Sequence, residues 1–391
     1  MSDGDRLTLG VVTKAGAPPG RLTGVNLLRT IGVFAVVYSH ISYYFIDGMG
    51  TGWWFIDAVY RVFIQGLRLN QHLSFFGVAL FLVLTGTLIT GSAVRHRPGV
   101  FLFNRIGRLL PLFWFSIAQA VALVWLGVND LFTGGHNLTG TQAALSFVLG
   151  GFFLRPEVDV LGVVWTLVVQ IAFYVFCVAA RPLLRRFPGV VPLLGAALCM
   201  AVICYDRLMP GQALPIVVKL VGTLPAAFIG MVIYLAWSRT VTTAWVVAGA
   251  LAQLATVAAA TGLGGYWSGG QHYVSTVVVV GTLVVMLGRW DGPATKSAVV
   301  HWIGTRSYPI YLLHTLLLYK TYQLTVGTLG KTGAVLAFLA ATALVSEAAY
   351  RWIEVPASRW ISDRVARLRA REAKSGPAAV AAGEPAYAGS R

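Results

Sequence analysis

The sequence predicts an all-α protein: a polytopic membrane helix bundle of about ten transmembrane helices, with both termini cytoplasmic. Three observations predict it. The 391 residues are 57% hydrophobic and only 11% charged, with a mean hydropathy of +0.73, where a soluble chain carries about 25% charged residues. Apolar runs recur from residue 25 to residue 352, and a run of about 20 apolar residues crosses a bilayer core as a helix. The Lys and Arg residues outside the spans fall 21 on the side of the N-terminus and six on the other, and cytoplasmic loops carry the excess.

In chain order the spans are expected near 25–45, 72–92, 108–128, 162–180, 190–204, 216–236, 243–262, 271–288, 306–325 and 332–352. The fifth is short. The stretch 141–154 is apolar but Gly-flanked and too short to cross, so it reads as re-entrant or interfacial. An eleventh span would put the termini on opposite sides and spoil the charge balance. The chain therefore divides into a polar cytoplasmic segment at 1–24, a membrane domain at 25–358 and a basic tail at 359–391. The tail stretch ISDRVARLRAREAK reads as a basic helix at the inner leaflet, and the last fifteen or so residues as disordered. Residues 1–24 lack the layout of a removed signal peptide. The cell (cytoplasmic) membrane is the expected location.

Composition excludes several functions. A net charge of +16 suggests nucleic acid, but the basic residues sit in short segments between apolar runs, as membrane orientation requires. No nucleic-acid partner is expected. Cys177, Cys199 and Cys204 lie in apolar runs and read as small core residues. No His/Cys cluster or H-E-x-x-H offers a metal site. The sequence also lacks a G-x-S-x-G elbow, a Walker A loop and an H-x4-D pair.

Chemistry is expected where ionisable groups enter the spans, because such groups are costly in lipid and face a cavity or a partner. Asn26, Arg29 and His40 share one stripe of the first helix. Eleven residues separate Arg29 from His40, about three turns and roughly 16 Å along the axis. His40 is a plausible general base, because an unperturbed imidazole titrates near working pH. Tyr38 is beside it in sequence. In RPGVFLFNRIGRLLPLFW, Arg105 and Arg108 are spaced i,i+3 at the cytoplasmic shoulder of the third span. A positive-inside flank explains their charge. Paired guanidiniums entering an apolar run also suit a phosphate or pyrophosphate, and Asn104 precedes them. In VVWTLVVQIAFYVF, Trp165, Gln170 and Tyr174 are amphipathic points that serve interhelical hydrogen bonds or a substrate. RSYPIYLLHTLLLYK buries His314, with Tyr311 one turn before it, as a core histidine or a second site residue. Glu347 and Arg351 read first as an i,i+4 ion pair.

Several blocks in order carry a resemblance: N26-LLRTIGVFAVVYSH-40, F76-GVALFLVLTGTLIT-90, F103-NRIGRLLPLFW-114, W165-TLVVQ-170, S307-YPIYLLH-314 and Y350-RWIEVP-356. Together they make the chain similar to the acyltransferase 3 family of integral membrane O-acyltransferases, most closely to bacterial enzymes that acylate macrolides. The resemblance implies a ten-helix bundle that moves an acyl group, acetyl or another short acyl, from acyl-CoA to a hydroxyl. It places His40 as the catalytic histidine of an R-x10-H pattern that begins at Arg29, and Arg105 and Arg108 at the donor. Asn26 and Gln170 stand where many members carry Asp and Glu, so the partner of His40 is not given by the pattern. Acyl-CoA (acetyl-CoA) is expected as co-substrate, with no tightly bound cofactor. The expected partners are a hydroxyl-bearing small-molecule acceptor and membrane lipid, and a homodimer is left open. A cell-surface polysaccharide or lipid-linked sugar is the alternative acceptor. A transporter or flippase is the rival class, against which stands the missing internal repeat.

Overall fold

In lipid every backbone N–H and C=O must be satisfied within its own segment, so apolar runs fold as helices. The computed structural model describes residues 22–131, 137–263 and 272–374, and among these there are helices and no strand. The order is α1 (Val25–Tyr43), α2 (Trp54–Val59), α3 (Phe76–Arg95), α4 (Pro98–Trp125), α5 (Gly140–Ser146), α6 (Trp165–Ala179), α7 (Arg181–Arg186) and α8 (Val190–Leu208). Then come α9 (Pro215–Trp237), α10 (Thr243–Gly262), α11 (Tyr273–Leu287), α12 (Pro293–Lys296), α13 (Ala298–Thr305), α14 (Ser307–Ala349) and α15 (Val355–Lys374). Among the described residues, seven helical stretches are long and apolar enough to cross a membrane, the last running from Ser307 to Arg367. Helices α6 and α11 are apolar but shorter. The expectation of ten spans counts both of these and divides α14 at Gly330, whose φ of +65° and ψ of 177° break the helix.

Other boundaries differ from the sequence reading for local reasons. Helix α4 starts at Pro98, ten residues before the expected span, because proline at the first helical position is preorganised for a helix. Arg105 and Arg108 therefore lie inside a helix and not on the flank before it. Helix α8 is not short, since Tyr205–Leu208 continue its turns beyond the apolar run. The stretch 141–154 does not cross: it folds as α5, closed by a Thr139–Gln142 capping box, and a 3-10 turn at Gly150–Phe153. Helix α15 covers the predicted basic helix, and its Ile361 and Val365 bury against Val100 of α4. The expectations for residues 1–21 and for the disordered end of the tail lie outside the described residues.

Helix α3 is the centre of the bundle, packed by α9, α1, α11 and α6. Its contact with α9 is set by two glycines. A Cβ on Gly86 would stand 1.9 Å from the Ala227 carbonyl oxygen, and one on Gly230 would stand 2.0 Å from that of Val83. Only bare backbone fits, and small residues allow this approach between membrane helices. Thr87 Oγ1 donates across the same contact to the Gly230 carbonyl at 3.2 Å.

The two ends of α14 are tied together. Glu347 accepts from Arg306 at the start of the helix and from Arg351 one turn beyond itself. The Arg306 guanidinium also lies between the rings of Trp302 and Tyr350, 4.8 and 4.4 Å from their centroids. The expected Glu347–Arg351 ion pair is thus one arm of a larger clamp.

Gly230→Ala is expected to destabilise the bundle by about 1–3 kcal/mol through overpacking, read as a lower thermal midpoint in detergent. Gly281→Ala is the control, since its Cβ would meet Ile229 at an ordinary 3.5 Å.

Candidate functional site

Two histidines meet between α1 and α14. The Nε2 of His314 lies 3.1 Å from Nδ1 of His40, and the rings cross edge to face with centroids 4.8 Å apart. His314 is fully buried, while His40 keeps part of its surface accessible.

Backbone carbonyls fix the protons on this pair. The Nδ1 of His314 is 3.0 Å from the carbonyl oxygens of Ile310 and Tyr311. A carbonyl only accepts, so Nδ1 carries the proton and Nε2 of a neutral His314 is an acceptor. The Nδ1 of His40 is 3.0 Å from the Val36 carbonyl. It too carries its proton, shared between that carbonyl and His314 Nε2. The lone pair of a neutral His40 is thereby left on Nε2. A proton taken at Nε2 makes an imidazolium whose Nδ1–H already has two acceptors.

Two cavities flank the pair. One, of about 330 Å³, is lined by Arg29 on α1, Arg105 and Arg108 on α4, Gln170 and Tyr174 on α6, and Tyr308 and Tyr311 on α14. The other, of about 350 Å³, is lined by Tyr43 on α1, Asn129 and Asp130 after α4, and Thr315, Tyr319, Lys320 and Gln323 on α14. Along α1 and along α14 the histidines come between the residues of the first cavity and those of the second. Neither imidazole lines either cavity; on both helices the pair lies in the stretch between them, the partition of the two linings.

Some buried polar atoms at the cavities lack a protein partner. The buried Nε of Arg105 and Oε2 of Glu354, both on the arginine cavity, lack a hydrogen bond, as do Oδ1 of the neighbouring Asn104 and Oγ1 of Thr315 on the second cavity. Buried polar atoms are normally paired, so these are places where a polar ligand fits. Arg105 is aimed by Ser92 Oγ at 3.1 Å and Arg108 by Ser362 Oγ at 2.9 Å.

The structure divides the residues that the sequence grouped. His40 and His314 come together. Arg29 and Gln170 do not reach them: they join Arg105 and Arg108 around the arginine cavity. Asn26 packs against Gly304 of α13 and lines neither cavity. Tyr38 is buried with its ring edge against Phe55, and Trp165 opens α6; neither lines either of the two cavities. Tyr311 Oη lies 2.7 Å from Thr166 Oγ1 and donates to the Val163 carbonyl, so it closes the arginine cavity toward His314. Sequence reasoning missed Glu354. Helical periodicity places it seven residues on from Glu347, hence on the same face. The π turn at Tyr350–Glu354 breaks that count, since one extra residue in a turn rotates every later side chain by roughly 100°.

The family model described as an acyltransferase domain matches residues 22–351. The chain belongs to the acyltransferase 3 family. The matched region is an acyltransferase domain, and its apolar helices are those of a multi-pass membrane protein. A curated relative, nodulation protein 10 of Rhizobium leguminosarum bv. viciae, is 26% identical over 192 residues. The match takes in 43% of this chain and 46% of that protein, so the chain spans about half its length. No solved structure matches the chain. The matched region contains both histidines and both cavities except for Glu354 and Ser358.

His314→Ala is expected to lower the turnover number of acyl transfer at least tenfold while changing the Michaelis constants little, because His40 loses the acceptor that orients it. Steady-state kinetics on the purified variant checks this.

Proposed function

We propose that the protein is an acyl-CoA-dependent O-acyltransferase of the cytoplasmic membrane with His40 as general base. The observation that carries the reading is the pair of histidines in contact between two cavities of unlike lining. Each cavity is within the size range of small-molecule sites. The arginine cavity suits an anionic donor, since forked guanidiniums take phosphate oxygens two at a time. Arg105 and Arg108 hold the diphosphate of acyl-CoA, entering from the cytoplasm. Its pantetheine arm bridges the roughly 16 Å from the level of Arg29 to that of His40. Tyr311 and Thr166 must give way for the thioester to reach the partition.

The acceptor comes from the second cavity, whose tyrosines, amides, Asp130 and Lys320 suit the hydroxyls of a glycosylated molecule. His40 Nε2 takes the hydroxyl proton as the oxygen attacks the thioester carbonyl. The tetrahedral intermediate then collapses with cleavage of the C–S bond, and the His40 proton goes to the departing thiolate. The products are an ester and free CoA. Holding both substrates in register supplies a large part of the rate, and general base catalysis typically adds 10²–10⁴-fold. The amide of Gln170, which lines the arginine cavity, is a donor for the carbonyl of the arriving acyl arm.

A macrolide or similar glycosylated natural product with an acetyl or other short acyl group is the reading we favour. A cell-surface polysaccharide or lipid-linked sugar uses the same site chemistry. The experiment is CoA release from acetyl-CoA by the purified protein with a panel of macrolides and glycosides. Release that requires an acceptor and falls at least 100-fold in His40→Ala supports the base; undiminished release in that variant contradicts it. Arg105→Ala is expected to raise the Michaelis constant for acyl-CoA more than that for the acceptor, and equal effects on both would remove Arg105 from the donor site.

A further inference from the structure

The second cavity runs along one stripe of α14. Thr315, Tyr319 and Gln323 line it at successive turns, and Thr315 stands at the end next to His314. Thr315 is 4% exposed, and its Oγ1 is buried with no hydrogen-bond partner.

A threonine inside a helix can donate to the carbonyl one turn back, as Thr30, Thr87, Thr90, Thr223 and Thr256 do here. A carbonyl oxygen has two lone pairs. The helical N–H takes one, and in those residues the hydroxyl takes the other. For Thr315 the carbonyl one turn back is that of Tyr311, and Nδ1 of His314 lies 3.0 Å from its oxygen. The contact that fixes the proton of His314 therefore deprives the next residue of its acceptor. Thr342 and Ser346 further along α14 also lack partners, but they line neither cavity. A buried hydroxyl left unpaired costs stability. The second cavity, beside Thr315, is where a polar partner for it can enter.

We propose that Thr315 is a specificity-determining residue of the acceptor site: its hydroxyl donates to the oxygen on the carbon next to the reacting hydroxyl. It thereby selects acceptors with two neighbouring oxygens and fixes which of the two is acylated. The inference rests on the reading of the second cavity as the acceptor site. The reacting hydroxyl is not itself the partner. Its one proton goes to His40, and a hydrogen bond donated to its oxygen would draw on the electron pair that attacks the thioester. Adjacent helix residues are about 1.5 Å apart along the axis, so Thr315 is level with the histidine pair. The neighbouring oxygen of an acceptor whose hydroxyl reaches His40 arrives at that level. Sugars carry such vicinal oxygens around the ring.

The test compares kcat/KM of the full chain in detergent for two kinds of acceptor: the glycoside of the panel with the fastest CoA release, and each of its monodeoxy analogues. Wild-type protein is expected to prefer the parent about tenfold over the analogue that lacks the neighbouring hydroxyl, the range of one hydrogen bond. Thr315→Val keeps the shape and removes the hydroxyl. It is expected to abolish that preference by lowering kcat/KM for the parent alone, and to spread the acyl group over both hydroxyls in the product, read by NMR. Thr315→Ser is expected to keep both the preference and the position. The thermal midpoint of Thr315→Val is expected unchanged or higher, since no internal hydrogen bond is lost, and its CoA affinity unchanged. Preference and position that survive in Thr315→Val overturn the proposal while the acceptor reading stands. So does an equal loss on both acceptors with a lower thermal midpoint, the sign of a merely structural hydroxyl. Wild-type protein that is folded and binds CoA, yet releases none from acetyl-CoA with any acceptor of the panel, overturns the acceptor reading itself and this proposal with it. Should Thr315→Val fail to fold, Thr315→Ala decides by the same comparison.

Discussion

The site depends on carbonyl oxygens that a helix leaves within reach of a side chain. Ile310 and Tyr311 on α14 hold the proton of His314 on Nδ1, and Val36 on α1 holds that of His40 on Nδ1. The 3.1 Å contact between the rings then has one direction only, from His40 to His314. In many catalytic arrangements a carboxylate orients the basic histidine and stabilises the imidazolium. Here a neutral imidazole and a backbone carbonyl stand in that place. In a bundle interior the substitution has a physical advantage, because a neutral acceptor needs no counter-charge and a buried carboxylate does. Asn26 and Gln170 serve other places in the bundle: Asn26 packs against Gly304, and Gln170 lines the arginine cavity.

The bundle positions this pair by contacts that leave little room for adjustment. Gly86 and Gly230 bring α3 and α9 to backbone contact, and α3 in turn is the wall on which α1 packs. Tyr308 Oη donates to the Leu109 carbonyl at 2.9 Å and fixes α14 against α4 at the level of the arginines. The Arg306–Glu347–Arg351 clamp closes α14 on itself beside the turn that carries Glu354. The two cavities therefore belong to one frame. Their linings are unlike, with arginines on one side of the partition and Lys320 with amides and tyrosines on the other, and the proposed function assigns one substrate to each.

Much of this was legible in the sequence. Composition and hydropathy pointed to the helical membrane class, and the i,i+3 pair Arg105–Arg108 stood out as residues that prove to line one cavity. His40 stood out as an ionisable group in an apolar helix. What was not legible came from contacts between elements distant in sequence. His314 looks like any buried histidine until α14 is set beside α1, 274 residues away in sequence. Asn26, Arg29 and His40 share a stripe, yet a helix long enough to cross the membrane carries its stripe past several neighbours, so one face serves α13, a cavity and a histidine in turn. Glu354 was hidden for a different reason: a π turn resets the helical count, and nothing in YRWIEVP announces it. Gly330 likewise permits a break inside a run whose hydropathy is continuous.

The central claim is the direction of the proton between the two histidines. The direct measurement is solid-state ¹⁵N NMR on imidazole-labelled protein in bilayers, with His40→Gln and His314→Gln variants to assign the signals. The account predicts that both rings are neutral at neutral pH with the proton on Nδ1, and that a ¹⁵N coupling links His40 Nδ1–H to His314 Nε2. Finding the His40 proton on Nε2, or His314 as the charged partner, would contradict it.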